Sequence, residues 1–174
     1  MLHYMDERAE YARLSREDVA VLCDLLQEQG RIPAAFTFRR IERFECQTAH
    51  WISVWWHEKS GLEFSLVPGG TYLMGSPPDE TGRFSDEDQC EVTVKPFFVA
   101  RTTCFDPKTK LPVVNINWYD AVKYAKDHSV SGELRLPEED EWEFMCRAGT
   151  TTRFTCGDDE EKLIREAVLD TANP

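Results

Sequence analysis

Residues 134–149, which read LRLPEEDEWEFMCRAG, decide the fold of this chain. The first three residues predict a short apolar strand, and Pro137 ends it because proline has no N–H to donate to a sheet. The acidic residues that follow favour the N-terminus of a helix, where carboxylates meet the positive end of the helix dipole. A helix is therefore predicted over residues 138–148, with Gly149 as its stop.

One face of this helix is predicted to be buried. Trp142 and Cys146 are four residues apart, so their side chains share a helix face, and Met145 lies beside them. These three residues are expected to form the buried stripe, while Glu141 and Glu143 keep the outer face in water. A substrate cleft lined by the tryptophan and the glutamates is the alternative interpretation, and the structural one is preferred.

Cap residues mark the other helices. Ser15 can cap a first helix, Asp18 occupies the acidic position of a capping box, and Gly30 ends the helix. Asn117 predicts the start of a second helix, and residues 160–169 predict an exposed one.

Aromatic and β-branched residues between polar ones predict several strands. Pro68-Gly69-Gly70 supplies the chemistry of a hairpin turn, and Pro96 suggests an edge or a bulge in the last strand. Because strands and helices do not alternate in βαβ order, the predicted fold class is α+β. The predicted strands are residues 36–44, 51–56, 62–67, 71–74 and 91–99.

Composition limits the function classes. The chain has 174 residues, 41% of them hydrophobic, which is enough for one domain with a sizeable core. Its formal net charge of −12 argues against nucleic-acid binding and against adsorption to an anionic membrane. The first residues show no basic and apolar leader, so a cytoplasmic location is expected.

The cysteines and histidines show no spacing typical of a metal or catalytic site. The six cysteines are expected to be free thiols, and Cys146 and Cys156 are interpreted as small buried hydrophobic residues rather than as a thiolate pair. An iron site is not expected from four scattered histidines, which are interpreted as surface residues. The acidic residues 86–88 are interpreted as a solvated loop rather than a cation site.

Several pieces of the chain, taken in order, resemble the formylglycine-generating enzyme family, also called the sulfatase-modifying factors. This family is related to hercynine-oxygenase and pyoverdine-maturation proteins. Any one piece would be weak evidence, since turn and cap patterns recur by chance, but their shared order defines the resemblance. The pieces are residues 64–76, 91–94 with 97–99, 112–121, 134–149, and 150–154 with 157–159.

The resemblance implies a C-type-lectin-like topology for the α+β fold, incomplete at its C-terminus. Residues 1–60 are expected to form an N-terminal helix and a β-rich lead-in, and residues 61–174 the first part of the sulfatase-modifying factor domain. Full-length relatives are implied to oxidise a protein cysteine to formylglycine with oxygen and copper. The part that carries this chemistry is expected to follow Asn173, so no catalytic or cofactor-binding residue is assigned.

The chain by itself is therefore expected to be inactive and to need no cofactor. The resemblance also implies calcium in full-length relatives, with Asn173 at the place of one ligand. Because calcium takes six to eight oxygen ligands, Asn173 is a half-site only. A non-catalytic C-type-lectin-like binding scaffold is the alternative function. The expected partner is a protein or peptide substrate, and uncovered strands are expected to permit self-association.

Overall fold

The computed structural model describes residues 14–44, 50–104, 109 and 111–166. The elements of this part of the chain confirm the α+β class, because helices and antiparallel strands are segregated rather than alternating. In chain order they are α1 (Arg16–Glu28), β1 (Phe36–Phe44), β2 (His50–His57), β3 (Leu62–Val67), β4 (Gly70–Met74), β5 (Cys90–Val94), β6 (Phe97–Ala100), α2 (Trp118–His128), α3 (Glu139–Arg147) and α4 (Glu160–Glu166).

The first helix forms as its cap predicts. The Ser15 hydroxyl accepts a hydrogen bond from the Asp18 N–H at 3.1 Å, and the Asp18 carboxylate accepts one from the Ser15 N–H at 2.9 Å. This reciprocal pair satisfies two backbone donors that the first turn would otherwise leave open. The face of α1 that packs on the sheet consists of Val19, Leu22, Cys23 and Leu26, all buried.

A four-stranded antiparallel sheet with the strand order β1-β2-β3-β6 carries the main core. Helix α1 lies against it, and Trp55 of β2 is fully buried between the helix and the strands. The rings of Phe36 and Phe98 stack at 4.4 Å between centroids, so the two edge strands meet over this core. The N-terminal part of the chain and β6 therefore share one hydrophobic cluster. The domain boundary predicted between residues 60 and 61 stays a prediction.

The predicted hairpin at Pro68-Gly69-Gly70 is wrong. Strand β3 does not pair with β4; β4 pairs with β5 in a separate two-stranded sheet. The predicted strand over residues 91–99 is likewise two strands, because Pro96 lies at a break between them rather than at a bulge. One antiparallel ribbon thus bends as a unit from the first sheet to the second, with Val67 opposite Phe97 before the bend and Gly70 opposite Val94 after it.

Gly69 allows this bend because the two chains of the ribbon touch there. Its φ is +75°, and a Cβ at this position would lie 2.4 Å from the carbonyl oxygen of Val94 and 2.9 Å from the nitrogen of Pro96. Both neighbours are backbone atoms that cannot move aside as a flexible side chain could. The glycine is therefore required by close approach as well as by its left-handed conformation.

The helices α2, α3 and α4 follow β6 in the described chain, separated by irregular segments. Asn117 caps α2 as predicted, by accepting a hydrogen bond from the Asp120 N–H at 3.0 Å. The short strand predicted over residues 134–136 is wrong, since those residues have no strand partner in the part of the chain that the structure describes. Instead the Arg135 side chain turns toward α3 and holds both oxygens of the Glu141 carboxylate at 2.7 and 2.5 Å.

Candidate functional site

The helix predicted from residues 134–149 packs on the two-stranded sheet. Phe144 is the buried residue of α3, and its ring lies 5.3 Å from that of Tyr72 on β4 in an edge-to-face arrangement. The Tyr72 hydroxyl donates to the Asp140 carbonyl at 2.9 Å. Burial, together with the nearby Glu143 and Asp140 carboxylates, raises the pKa of Tyr72 above its ordinary value, so this hydroxyl remains a donor.

A charged network fixes the same helix to the turn after β4. The Glu143 carboxylate accepts hydrogen bonds from the Gly75 N–H at 2.8 Å and from Arg147 Nε at 2.8 Å. Arg147 in turn donates to the Gly75 carbonyl at 2.6 Å. Both backbone groups of Gly75 are therefore satisfied by an ion pair spaced i,i+4 on α3. This contact joins two of the pieces that carry the resemblance, residues 64–76 and residues 134–149.

The acidic loop folds back on this turn instead of extending into solvent. A Cβ on Gly75, whose φ is +90°, would lie 2.8 Å from the Glu87 carbonyl oxygen. The Ser76 hydroxyl donates to the Glu87 carboxylate at 2.6 Å, and Arg83 pairs with Asp88. Glu87 is therefore partly buried with a protein partner, whereas Asp86 and Asp88 are exposed, the Asp88 side chain to 90% even with its Arg83 ion pair. The interpretation as a solvated loop holds for these two residues.

A buried histidine is the functional candidate that sequence reasoning missed. His57 was interpreted as a surface residue, and that interpretation is wrong, because its side chain has 0% exposure at the end of β2. Its Nε2 lies 2.8 Å from the Glu133 carboxylate, and its Nδ1 lies 2.9 Å from the Ser60 hydroxyl. The only sequence signal was the turn after it, since Gly61 with φ of +67° lets the chain fold back over the ring.

The hydrogen bonds decide which ring nitrogen carries the proton. The Ser60 N–H points at Nδ1 from 3.2 Å, so Nδ1 accepts. The proton of the neutral ring therefore lies on Nε2, which donates to the Glu133 carboxylate. Ser60 and Glu133 thus hold one tautomer and one ring orientation of His57.

Glu133 is held by more donors than the histidine alone. Its carboxylate accepts from the backbone N–H groups of Val130 and Ser131, each at 2.6 Å, and from the Ser131 hydroxyl at 3.1 Å. Burial by itself raises the pKa of this carboxyl, but the hydrogen bonds from Val130, Ser131 and His57 outweigh burial and hold the pKa below its ordinary value. The group is therefore a buried carboxylate whose charge is well compensated.

These contacts connect the N-terminal sheet to the loop between α2 and α3. Lys59 beside the histidine donates to the Ser129 carbonyl, and the Ser129 hydroxyl accepts from the Leu134 N–H at 2.9 Å. A His–carboxylate pair can orient a proton donor in catalysis, but here the ring has no access to solvent. We conclude that the cluster of His57, Ser60, Glu133 and Ser129 is a structural joint between the two parts of the chain.

The exposed face of α3 differs from its prediction. Trp142 is 56% exposed and Cys146 is exposed, so the predicted buried stripe is wrong for both residues. Phe144 takes the buried position because its ring reaches Tyr72 on the second sheet. The helix is short and packs mainly on β4 and β5, and Phe144 is its one buried residue, so Trp142 and Cys146 lie outside the packed face.

Five cysteines fall within the described residues, and all are free thiols. Cys156 is buried as predicted, and burial raises the pKa of the buried Cys23 thiol, which disfavours its reactive thiolate. Cys90 and Cys146 are exposed on separate elements. The part of the chain that the structure describes brings together no group of three or more His, Cys, Asp or Glu side chains placed to hold a metal ion. Asn173 lies outside the described residues.

The comparisons with known proteins agree with the resemblance. Residues 101–171 match the sequence model of the sulfatase-modifying factor enzyme 1-like domain family. The formylglycine-generating enzyme of Mycobacterium tuberculosis (strain ATCC 25618 / H37Rv) is 46% identical over 50 residues, which are 29% of this chain and 15% of that protein. No solved structure matches. The assignment to the sulfatase-modifying factor family is thereby confirmed over residues 101–171.

These matches cover only part of this chain and part of the mycobacterial protein. The chain aligns with about one seventh of the length of the mycobacterial relative, 15%. The family match begins at Arg101, so the predicted family membership of residues 61–100 stays a prediction. None of the helices in the described ranges is long and apolar enough to cross a membrane.

Proposed function

We propose that this chain supplies the signature-helix part of a formylglycine-generating type of domain, with C-type-lectin-like topology, and does not catalyse cysteine oxidation by itself. The observation that carries the proposal is the family match over residues 101–171 together with the fixed docking of α3 on Gly75. A helix held by Glu143 and Arg147 at both backbone groups of one glycine has a defined position. Rigid placement of this kind is what an element that supports a site requires.

The proposed role of the described residues is therefore positional. Tyr72, Glu143 and Arg147 direct their polar groups to backbone atoms or to one another, which leaves them little freedom to act on a substrate. Copper, where relatives hold it, would supply oxygen activation through soft thiolate ligands. For the complete domain, we propose oxidation of a cysteine in a protein or peptide substrate. For this chain, the proposal also includes the calcium half-site at Asn173 and a cytoplasmic location.

A turnover assay tests this proposal. The chain is incubated with a cysteine-containing sulfatase peptide, copper and oxygen, and the peptide aldehyde is captured with a hydrazide and identified by mass spectrometry. We expect no aldehyde, while a full-length formylglycine-generating enzyme in parallel produces it. Aldehyde formation that depends on the chain would overturn the proposal.

A binding scaffold is the second candidate, and exposed aromatic side chains favour it. Trp142 on α3 is more than half exposed beside the acidic start of the helix, and large exposed aromatics are enriched at binding surfaces. Calorimetric titration of the chain with the same peptide tests this candidate. Trp142→Ala should weaken binding, whereas Val21→Ala, an exposed apolar position on α1, should not. Absence of measurable binding by the unaltered chain would exclude the scaffold role for this peptide.

A further inference from the structure

A run of exposed apolar side chains precedes and begins α2. We call it the 111–119 surface; Trp118 is 64% exposed and Tyr119 is 77% exposed, although both are large aromatics that normally lose most of their exposure on folding. Their rings contact each other edge-to-face at 5.2 Å. The members of the surface are Leu111, Val114, Ile116, Trp118 and Tyr119, and each is at least 48% exposed.

The backbone holds this run on the outside. The Val113 N–H donates to the Cys104 carbonyl at 3.0 Å, which ties the segment to the end of the sheet. Asn115 then adopts a φ of +58°, which is uncommon for a residue with a Cβ, two residues before the cap of α2. Helix α2 itself has no buried residue, so its own packing does not cover these apolar side chains.

The exposed area is large enough for association. Tyr and Trp each carry roughly 150–250 Å² of surface, so these two at their present exposure present about 300 Å². With the three aliphatic residues, the surface presents on the order of 500 Å² of largely apolar area, which is at the upper range for a patch on a monomer. Two such surfaces brought together would bury about 1,000 Å², the lower limit for a specific protein–protein interface.

The charge distribution indicates what can cover this surface. The chain carries a net charge of −12, so two copies repel each other across most of their surfaces. On α2, however, two acidic and two basic side chains cancel: Lys123 pairs with Asp127, Asp120 is held at the cap, and Lys126 completes the balance. The charged side chains on α2, next to the 111–119 surface, therefore sum to zero, in contrast to the acidic start of α3. Two identical chains that meet there bring no net charge of α2 together.

We propose that the 111–119 surface is the contact through which two copies of this chain form a homodimer. This inference goes beyond the proposed function and does not depend on it. It also places self-association on residues 111–119, which precede and begin α2, rather than on the uncovered strands that the sequence suggests. Because the contact buries mainly apolar side chains and opposes the repulsion of two acidic chains, moderate salt strengthens it.

Sedimentation equilibrium of the full chain tests the proposal over about 1 to 100 µM, the range of a weak specific complex. We expect a dimer at the upper concentrations, and Tyr119→Lys should raise its dissociation constant at least about tenfold. Val21→Lys, on a similarly exposed residue of α1, is the matched control and should leave the constant unchanged.

Circular dichroism checks that the variant is still folded. Because Tyr119 is exposed, its replacement should leave the melting curve of the monomer unaltered. Val114→Lys provides a second disruption of the same surface. A chain that stays monomeric at the highest concentration overturns the proposal and leaves the surface to a different protein. A dimer that persists in both lysine variants, or that Val21→Lys disrupts equally, overturns it too.

Discussion

Glu133→Gln should destabilise the chain although it only replaces one carboxylate oxygen by an NH₂ group. Oε1 of the carboxylate accepts hydrogen bonds from His57 and the Val130 N–H, and Oε2 accepts from the Ser131 N–H and hydroxyl. The carbonyl oxygen of a glutamine can replace one of these oxygens, but its NH₂ group then faces the donors of the other. Because the His57 ring is fully buried and cannot turn to water, we expect the glutamine carbonyl to face His57 and the Val130 N–H. The NH₂ group then faces the donors of the exposed Ser131, which lose their bonds to a charged acceptor.

The magnitude follows from the hydrogen bonds that are lost. A hydrogen bond to a charged group contributes about 1.5–3 kcal/mol. Since the glutamine retains the bonds from His57 and Val130 and the exposed Ser131 donors can turn to water, we expect the free energy of unfolding to fall by about 2 kcal/mol. For a chain of this size such a change lowers Tm by roughly 4–8 °C.

Thermal and urea unfolding followed by circular dichroism measure this change. Glu139→Gln, which removes the same charge from an exposed position on α3, is the matched control and should shift the free energy of unfolding by less than about 0.5 kcal/mol. If Glu133→Gln shifts stability no more than the control does, the Glu133 cluster is not the joint that we infer.

The same residue predicts how stability depends on pH. The folded pKa of Glu133 lies below its ordinary value of 4.5, so the unfolded state takes up its proton first as the pH falls. The stabilisation is therefore fully present above about pH 4.5 and is lost progressively below it. Glu133→Gln should reduce the slope of stability against pH in that acid range. Some slope should remain, since a hydrogen bond from Arg135 also lowers the pKa of Glu141.

Two further predictions concern the ribbon bend and the thiols. Gly69→Ala should lower the free energy of unfolding by about 2 kcal/mol or more in a urea titration, because its Cβ meets backbone. Gly30→Ala has a similar positive φ but open space, so it should cost only about 1 kcal/mol, and equal losses would contradict the close approach. Under native conditions iodoacetamide should modify the exposed Cys146 well before the buried Cys156, as mass spectrometry of the peptides can show; equal rates would contradict the burial.

Much of the local structure could be predicted because it depends on neighbouring residues. The cap at Ser15, the cap at Asn117 and the extent of β1 all agree with expectation. In each case the deciding contacts are hydrogen bonds within a few residues or a simple alternation of side chains. The family resemblance over residues 101–171 is local in the same sense, since it rests on ordered short motifs.

The candidate site was predicted less well because its contacts join residues far apart in the chain. Glu133 is 76 residues from His57, and no spacing rule indicates that the two would meet. Trp142 was expected inside because helical periodicity shows which residues share a face, but not which face the rest of the chain covers.

The sequence by itself determined the α+β class, the helix starts and the family resemblance of residues 101–171, because caps, turns and short motifs act over a few residues. Only the tertiary structure decided the strand pairing. Pro68 and Gly69 are equally good residues for a hairpin and for a bend. The choice depends on Phe97 and Val94, which pair with the flanking Val67 and Gly70 from a distant segment. Tertiary packing likewise buried His57 and left the 111–119 surface open, since burial depends on which surfaces meet.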